Sequence, residues 1–217
     1  MTKLLNKECR LAASPLSYIF IAGSFMTMIP GYPFLVGAFF VCLGIFYSFQ
    51  NARECGDIYY SVLLPVKKTD IVRAKYTFTA TIQIISFIII SVLTALRMTV
   101  LADAAAYKTN PLMNLSPVAL ALVLILFSFF NTVFLGMHFR TAWKIGIPFL
   151  VFTVTAMVLV AAAEALRHIP ALSFLNSTRG EKLPLQFAIL AVCAAVYTIS
   201  ITVSCRISEK RFEKIDL

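Results

Sequence analysis

The sequence predicts an all-α membrane protein in which an amphipathic N-terminal helix lies in the interface and six transmembrane helices follow. Three observations carry that expectation. Of the 217 residues 60% are hydrophobic and 13% charged, and the mean hydropathy is +0.87. A soluble domain carries about 45–50% apolar and about 25% charged residues, so this chain lacks the polar residues to cover a water-facing surface. The apolar residues fall into six stretches, 11–29, 33–50, 76–102, 117–139, 145–166 and 184–205, each near the ~20 helical residues that cross a hydrocarbon core of about 30 Å. The charges sit between those stretches, so the net charge of +9 belongs to membrane-flanking segments and not to a nucleic-acid surface.

Taken in order, residues 1–14 set Leu4, Leu5, Leu11 and Ala12 against Lys3, Lys7, Glu8 and Arg10, the composition of a helix lying on the inner membrane surface before Pro15 opens the first span. No small-residue cleavage site follows the first apolar run, and that span is read as retained. Pro30, Gly31, Tyr32 and Pro33 join the first two spans in a tight hairpin. Residues 51–75 make the most structured polar segment. Arg53, Glu54 and Asp57 open it, Tyr59-Tyr60-Ser61-Val62-Leu63-Leu64-Pro65 follows, and Thr69 or Asp70 offers a cap for a helix running on into the third span. Segments 103–116 and 167–183 contain Pro and are too polar to span, and 206–217 is a charged tail.

Orientation follows from the basic residues. With the N-terminus inside, fourteen of the nineteen Lys and Arg fall on the inner side and five (Arg97, Lys108, Arg167, Arg179 and Lys182) on the outer. That bias predicts a multi-pass protein of the plasma membrane with both termini and segment 51–75 in the cytoplasm.

Signs of chemistry are few. There is no G-x-x-x-x-G-K-[ST] loop, no H-E-x-x-H and no G-x-S-x-G, and His138 and His168 fall on opposite sides of the membrane. Five scattered cysteines without a C-x-x-C pair are expected to be reduced and metal-free. The chain is therefore not expected to be an enzyme or to bind a cofactor itself. The spans carry only neutral polar residues near their middles, among them Gln83, Ser86, Ser128 and Asn131. Such groups commonly join helices, and the competing role for Gln83 and Asn131 is a place on a substrate path. Phe127, Phe129, Phe130, Phe134 and Phe139 crowd the fourth span, where they either face lipid or offer an apolar wall to a cargo. Arg97 is placed to snorkel to headgroups or meet Asp103, and Glu164 to pair with Arg167. Gly37 and Gly44, and the row Ala188, Ala191 and Ala195, would let helices approach closely, within this chain or against another.

The run Tyr59-Tyr60-Ser61-Val62-Leu63-Leu64-Pro65-Val66-Lys67-Lys68-Thr69-Asp70-Ile71-Val72-Arg73-Ala74-Lys75-Tyr76 resembles the LPV-basic-x-[DE]-IV-x-x-[KR]-Y stretch of small bacterial permease subunits of the type-2 ATP-binding-cassette exporter family. The number of spans, the N-terminal helix and the chain length agree with that family, and this sequence departs from it by one extra Leu before the Pro. The resemblance implies that the segment between the second and third spans holds a coupling helix that docks on a separate ATPase subunit, where ATP and Mg are bound. Arg53, Glu54, Asp57, Tyr59, Tyr60, Leu63, Leu64, Pro65, Lys67 and Asp70 would form that contact, with the acids against basic ATPase residues and the aromatics in an apolar pocket. It further implies a second permease subunit, identical or not, and export of a hydrophobic or amphipathic substrate such as a bacteriocin or cytolytic peptide, with Gln83, Asn131, Phe127, Phe130 and Phe134 as candidates for its path. The alternatives are a non-transport immunity or receptor-like membrane protein, or an ion-coupled carrier.

Overall fold

The structure is a computed structural model that describes residues 2–29, 32–101, 115–141, 144–167, 169 and 183–215. Among these residues every regular element is a helix: α1 Thr2–Ala12, α2 Pro15–Met28, α3 Phe34–Glu54, α4 Asp57–Leu63, α5 Lys68–Thr99, α6 Pro117–Thr141, α7 Gly146–Arg167 and α8 Leu183–Glu213. Five of them, α3, α5, α6, α7 and α8, are long and apolar enough to cross a membrane, and α1 with α2 makes a sixth if that pair is taken as one bent span. Pro30 and Gly31 of the hairpin, Asp103, Lys108, His168, Arg179, Lys182, the side chain of Arg167 and nearly all of 103–116 and 167–183 lie outside the described residues.

The expected first span at 11–29 divides. α1 and α2 meet at 96°, where Ala13 and Ser14 are extended and the Ser14 hydroxyl caps α2 by accepting from the Leu16 N–H at 3.3 Å. The membrane-directed part is then Pro15–Met28, five residues of α-helix followed by nine of 3-10 helix. Because the 3-10 form rises ~2.0 Å per residue against ~1.5 Å for the α form, that short piece still reaches about 26 Å.

α2 runs against α3 at glycines. A methyl group on Gly37 would lie 2.9 Å from the Gly23 carbonyl oxygen, and one on Gly44 would lie 2.6 Å from Phe20 Cβ and 3.3 Å from Ser17 Cα. The close approach expected of Gly37 and Gly44 is thus made within the chain. It brings the Ser17 hydroxyl onto the Gly44 carbonyl and Ser48. α6 occupies the middle of the bundle, with α3, α5, α7 and α8 around it. Its segment Phe130–Leu135 is a π-helical bulge, which presents Phe130 and Phe134 to Phe46, Phe49, Phe149 and Phe152 in one aromatic core. The row Ala188, Ala191 and Ala195 on α8 is exposed.

Candidate functional site

The connection between α3 and α5 is built from a turn that only glycine makes without strain. The last turn of α3 closes with the Cys55 N–H on the Asn51 carbonyl at 3.0 Å and the Gly56 N–H on Arg53 at 3.1 Å. Gly56 is left-handed, at φ 64°, and from it the chain enters α4. Leu64 is extended, and α5 begins at Lys68 after an extended Lys67. The side-chain cap expected from Thr69 or Asp70 is not formed at this end. Asp70 instead sits in the first turn, where a carboxylate suits the positive end of the helix dipole.

Beneath α4 lies a cluster of four charges that cancel. Lys75 Nζ is 2.9 Å from Glu8 Oε2 and 2.9 Å from Asp57 Oδ2, while Lys7 Nζ is 2.6 Å from Asp57 Oδ1 and 3.0 Å from Glu8 Oε1. Lys7 also donates to the Ser61 hydroxyl at 2.6 Å, and Ser61 in turn donates to the Asp57 carbonyl. Lys75 and Glu8 are each 3% exposed and Asp57 7%. A charge removed from water costs several kcal/mol unless it is paired, and each carboxylate here meets both ammonium groups. Burial pushes the Asp57 carboxyl up, but Lys75 and Lys7 outweigh it and leave Asp57 below its ordinary value. The cluster ties together α1, α4 and the first turns of α5. Asn51 adds a bond from α3, donating to the Ala12 carbonyl at 3.1 Å.

This arrangement corrects two expectations. Asp57 is not turned toward a partner's basic residues, because Lys7 and Lys75 supply the positive charge from within the chain. Nor does α1 divide as its composition suggests: Leu4, Glu8 and Ala12 face inward, whereas Leu11 is 70% exposed. The sequence places Glu8 on the polar side of the N-terminal helix and Lys75 at the basic position before Tyr76, but gives neither of them a partner. They lie far apart in the chain, and no spacing rule connects them.

The outer face of α4 is apolar. Tyr59, Tyr60 and Leu63 are 50%, 58% and 85% exposed, and the same end of the molecule exposes Arg53, Glu54, Pro65 and Lys67, with Leu64 and Asp70 half-buried. Glu54 accepts a bond from Gln50 at 3.0 Å. The end of α8 closes on the start of α5 here too: Arg73 pairs with Glu209 at 2.7 Å, and Lys68 donates to the Ile215 carbonyl at 2.7 Å. Ten candidate contact residues therefore gather at one end of the bundle, nine of them with surface to offer.

Deeper in the bundle a second polar group forms. Gln83 and Asn131 exchange two amide hydrogen bonds of 3.1 and 3.0 Å, and the Tyr197 hydroxyl donates to Gln83 Oε1 at 2.9 Å. Ser204 donates to the Asn131 carbonyl, and the Tyr76 hydroxyl bridges Ser204 and Ser208. Gln83 and Asn131 have no exposed surface; of the aromatic row on α6, Phe127, Phe130, Phe134 and Phe139 are buried and only Phe129 is turned outward. At the far end Arg97 does not snorkel. It is 6% exposed and donates to the Thr27 carbonyl at 2.8 Å, joining α5 to the end of α2.

Residues 3–209 match the family described as ABC-2 family transporter protein. No curated protein and no solved structure matches the chain.

Proposed function

The chain belongs to the ABC-2 family of transporter proteins, a family of membrane permease components, and from that premise we propose that it is the transmembrane subunit of an ATP-driven exporter whose ATPase is a separate chain. α4 is the coupling helix. The observation that carries this assignment is the division of its faces, with Tyr59, Tyr60 and Leu63 exposed and Asp57 and Ser61 buried in the charge cluster. A protruding aromatic and aliphatic tip suits an apolar cleft on a partner. The ion pairs behind it join that tip to α1 and α5, so a push on α4 is delivered to a transmembrane helix and not absorbed by a slack connection.

In this reading Arg53, Glu54, Pro65 and Lys67 rim the contact, and the end of the bundle that carries α4 and both termini is cytoplasmic. A second permease subunit completes the conduit, since Gln83, Asn131, Phe127, Phe130 and Phe134 are sealed within one chain and a path along them requires the bundle to part between α5, α6 and α8. The cargo is hydrophobic or amphipathic, a peptide of the bacteriocin or cytolytic type, for which an aromatic wall without strong polar traps is a suitable surface.

Co-purification of the tagged permease with its ATPase from detergent tests the assignment. Leu63→Asp with Tyr60→Ala is expected to lower recovery of the ATPase at least tenfold, as loss of a central apolar anchor does (about 2 kcal/mol or more), while Leu185→Ala on the distant part of α8 leaves recovery unchanged. Full recovery with the double variant would place the docking surface elsewhere.

A further inference from the structure

α8 is the least covered of the membrane-crossing helices, and a groove runs along each of its flanks. The larger, of about 380 Å³, lies between α8 and the bulged part of α6. Val196, Ile199, Val203 and Ile207 line it and are all exposed. Its three hydroxyls are already committed to carbonyl oxygens of the chain: Thr132 donates to Ser128, Ser200 to Tyr197 and Ser204 to Asn131, at 2.9, 2.8 and 2.7 Å. What the groove offers an occupant is therefore hydrocarbon. Its floor is open at Gly136, where an added methyl would meet only the Ser204 hydroxyl, at 3.6 Å.

The two ends of this groove differ. From Val196 to Ile207 the helix advances about 16 Å at ~1.5 Å per residue, roughly the depth of one leaflet of a ~30 Å hydrocarbon core. Beyond Ile207 stands Arg211, exposed, with one guanidinium nitrogen on the Gly136 carbonyl at 2.9 Å. Among the described residues no carboxylate is within ion-pair distance of it, and Arg206, Lys210 and Lys214 add positive charge to the same end of the helix. The second groove, of about 310 Å³, also ends on an arginine, Arg73, but Glu209 neutralises that one at 2.7 Å. Among the described residues, one groove thus ends on a cation without a carboxylate partner and the other does not.

We propose that the larger groove seats an acyl chain of an anionic phospholipid drawn from the leaflet at the C-terminal end of α8, with Arg211 on the headgroup phosphate. A guanidinium presents paired donors to phosphate oxygens, and a basic residue at the membrane surface favours an anionic lipid about fivefold. The site goes beyond the export function and does not depend on the ATPase.

Native mass spectrometry of the full chain in detergent, titrated with phosphatidylglycerol or phosphatidylcholine of matched chains, tests it. The wild type is expected to retain phosphatidylglycerol about fivefold better. Arg211→Gln should bring that preference to unity and Arg211→Lys should keep most of it, while Arg73→Gln leaves it unchanged. Gly136→Leu should lower retention of both lipids; if its thermal melt shows misfolding, Ser200→Leu serves to fill the groove instead. Equal retention of the two lipids by the wild type, or a preference that survives Arg211→Gln, would overturn the site. So would displacement of the lipid by inorganic phosphate at equal concentration, or efficient Ile199→Cys cross-linking between two copies that persists with phosphatidylglycerol in excess, since the face would then belong to a free anion or to a second chain.

Discussion

Lys75 shows how a residue ordinary in sequence becomes decisive in the fold. In a count of basic residues it is one more inner-side cation, but folded it is 3% exposed, bonded to two carboxylates and stacked 5.6 Å over the Phe49 ring. Lys75→Met leaves Glu8 and Asp57 buried with only Lys7 between them, and an uncompensated buried charge costs about 3–5 kcal/mol; thermal unfolding in detergent should show a large drop in Tm, partly restored by adding Asp57→Asn. The cluster also sets a pH dependence. The folded-state value for Asp57 is depressed, so its contribution is complete above the ordinary aspartate value of about 3.9 and is lost as pH falls through the lower folded value. Melting curves below about pH 4 should therefore steepen downward in the wild type and flatten in Asp57→Asn. None of this was legible beforehand, because the partners come from α1, α4 and α5 and only the folded chain brings them together.

At the scale of elements, composition located the helices well and their faces less well. α3, α5, α6, α7 and α8 fall where apolar runs of sufficient length stand, since lipid demands satisfied backbone and length alone then fixes a helix. The first span and α1 were the exceptions. A two-faced composition puts leucines toward the apolar side, but in α1 the charges of Glu8 and Lys7 find stronger partners inside the protein than in water, and Leu11 is left outside. The glycines were legible as close-approach positions, although not which helix they meet. Gly44→Ala should destabilise by about 1–3 kcal/mol, since Phe20 Cβ would lie 2.6 Å from the new methyl, whereas Gly146→Ala, with nothing within 4 Å, should be nearly neutral. Chemical denaturation of the two variants side by side checks the contrast.

At the scale of the whole molecule, most of the charge among the described residues lies at one end. α1, α4, the start of α5 and the end of α8 are bound to one another there through Lys7, Asp57, Lys75, Arg73 and Glu209, whereas Arg97 and Thr27 close the opposite end. That polarity was readable in the sequence as the lopsided distribution of Lys and Arg, and it predicts an experiment. Cys55 is exposed beside α4, so in a variant retaining it as the sole cysteine a membrane-impermeant maleimide should label it in inverted vesicles and not in intact cells. The candidate contact surface was legible to the extent that exposed aromatics followed a charged opening; the inward turn of Asp57 was not.

The reciprocal amides of Gln83 and Asn131 have a mechanical corollary. Shifting α5 along α6 by a single residue forfeits both amide bonds and misplaces the Tyr197 hydroxyl in the same step, so the two helices have a parked register and no halfway stop. Among the described residues α7 bears no such latch: it leans on the bulged part of α6 through aromatic rings. Until a cargo parts that latch, α5 and α6 should travel as one beam while α7 slides against them.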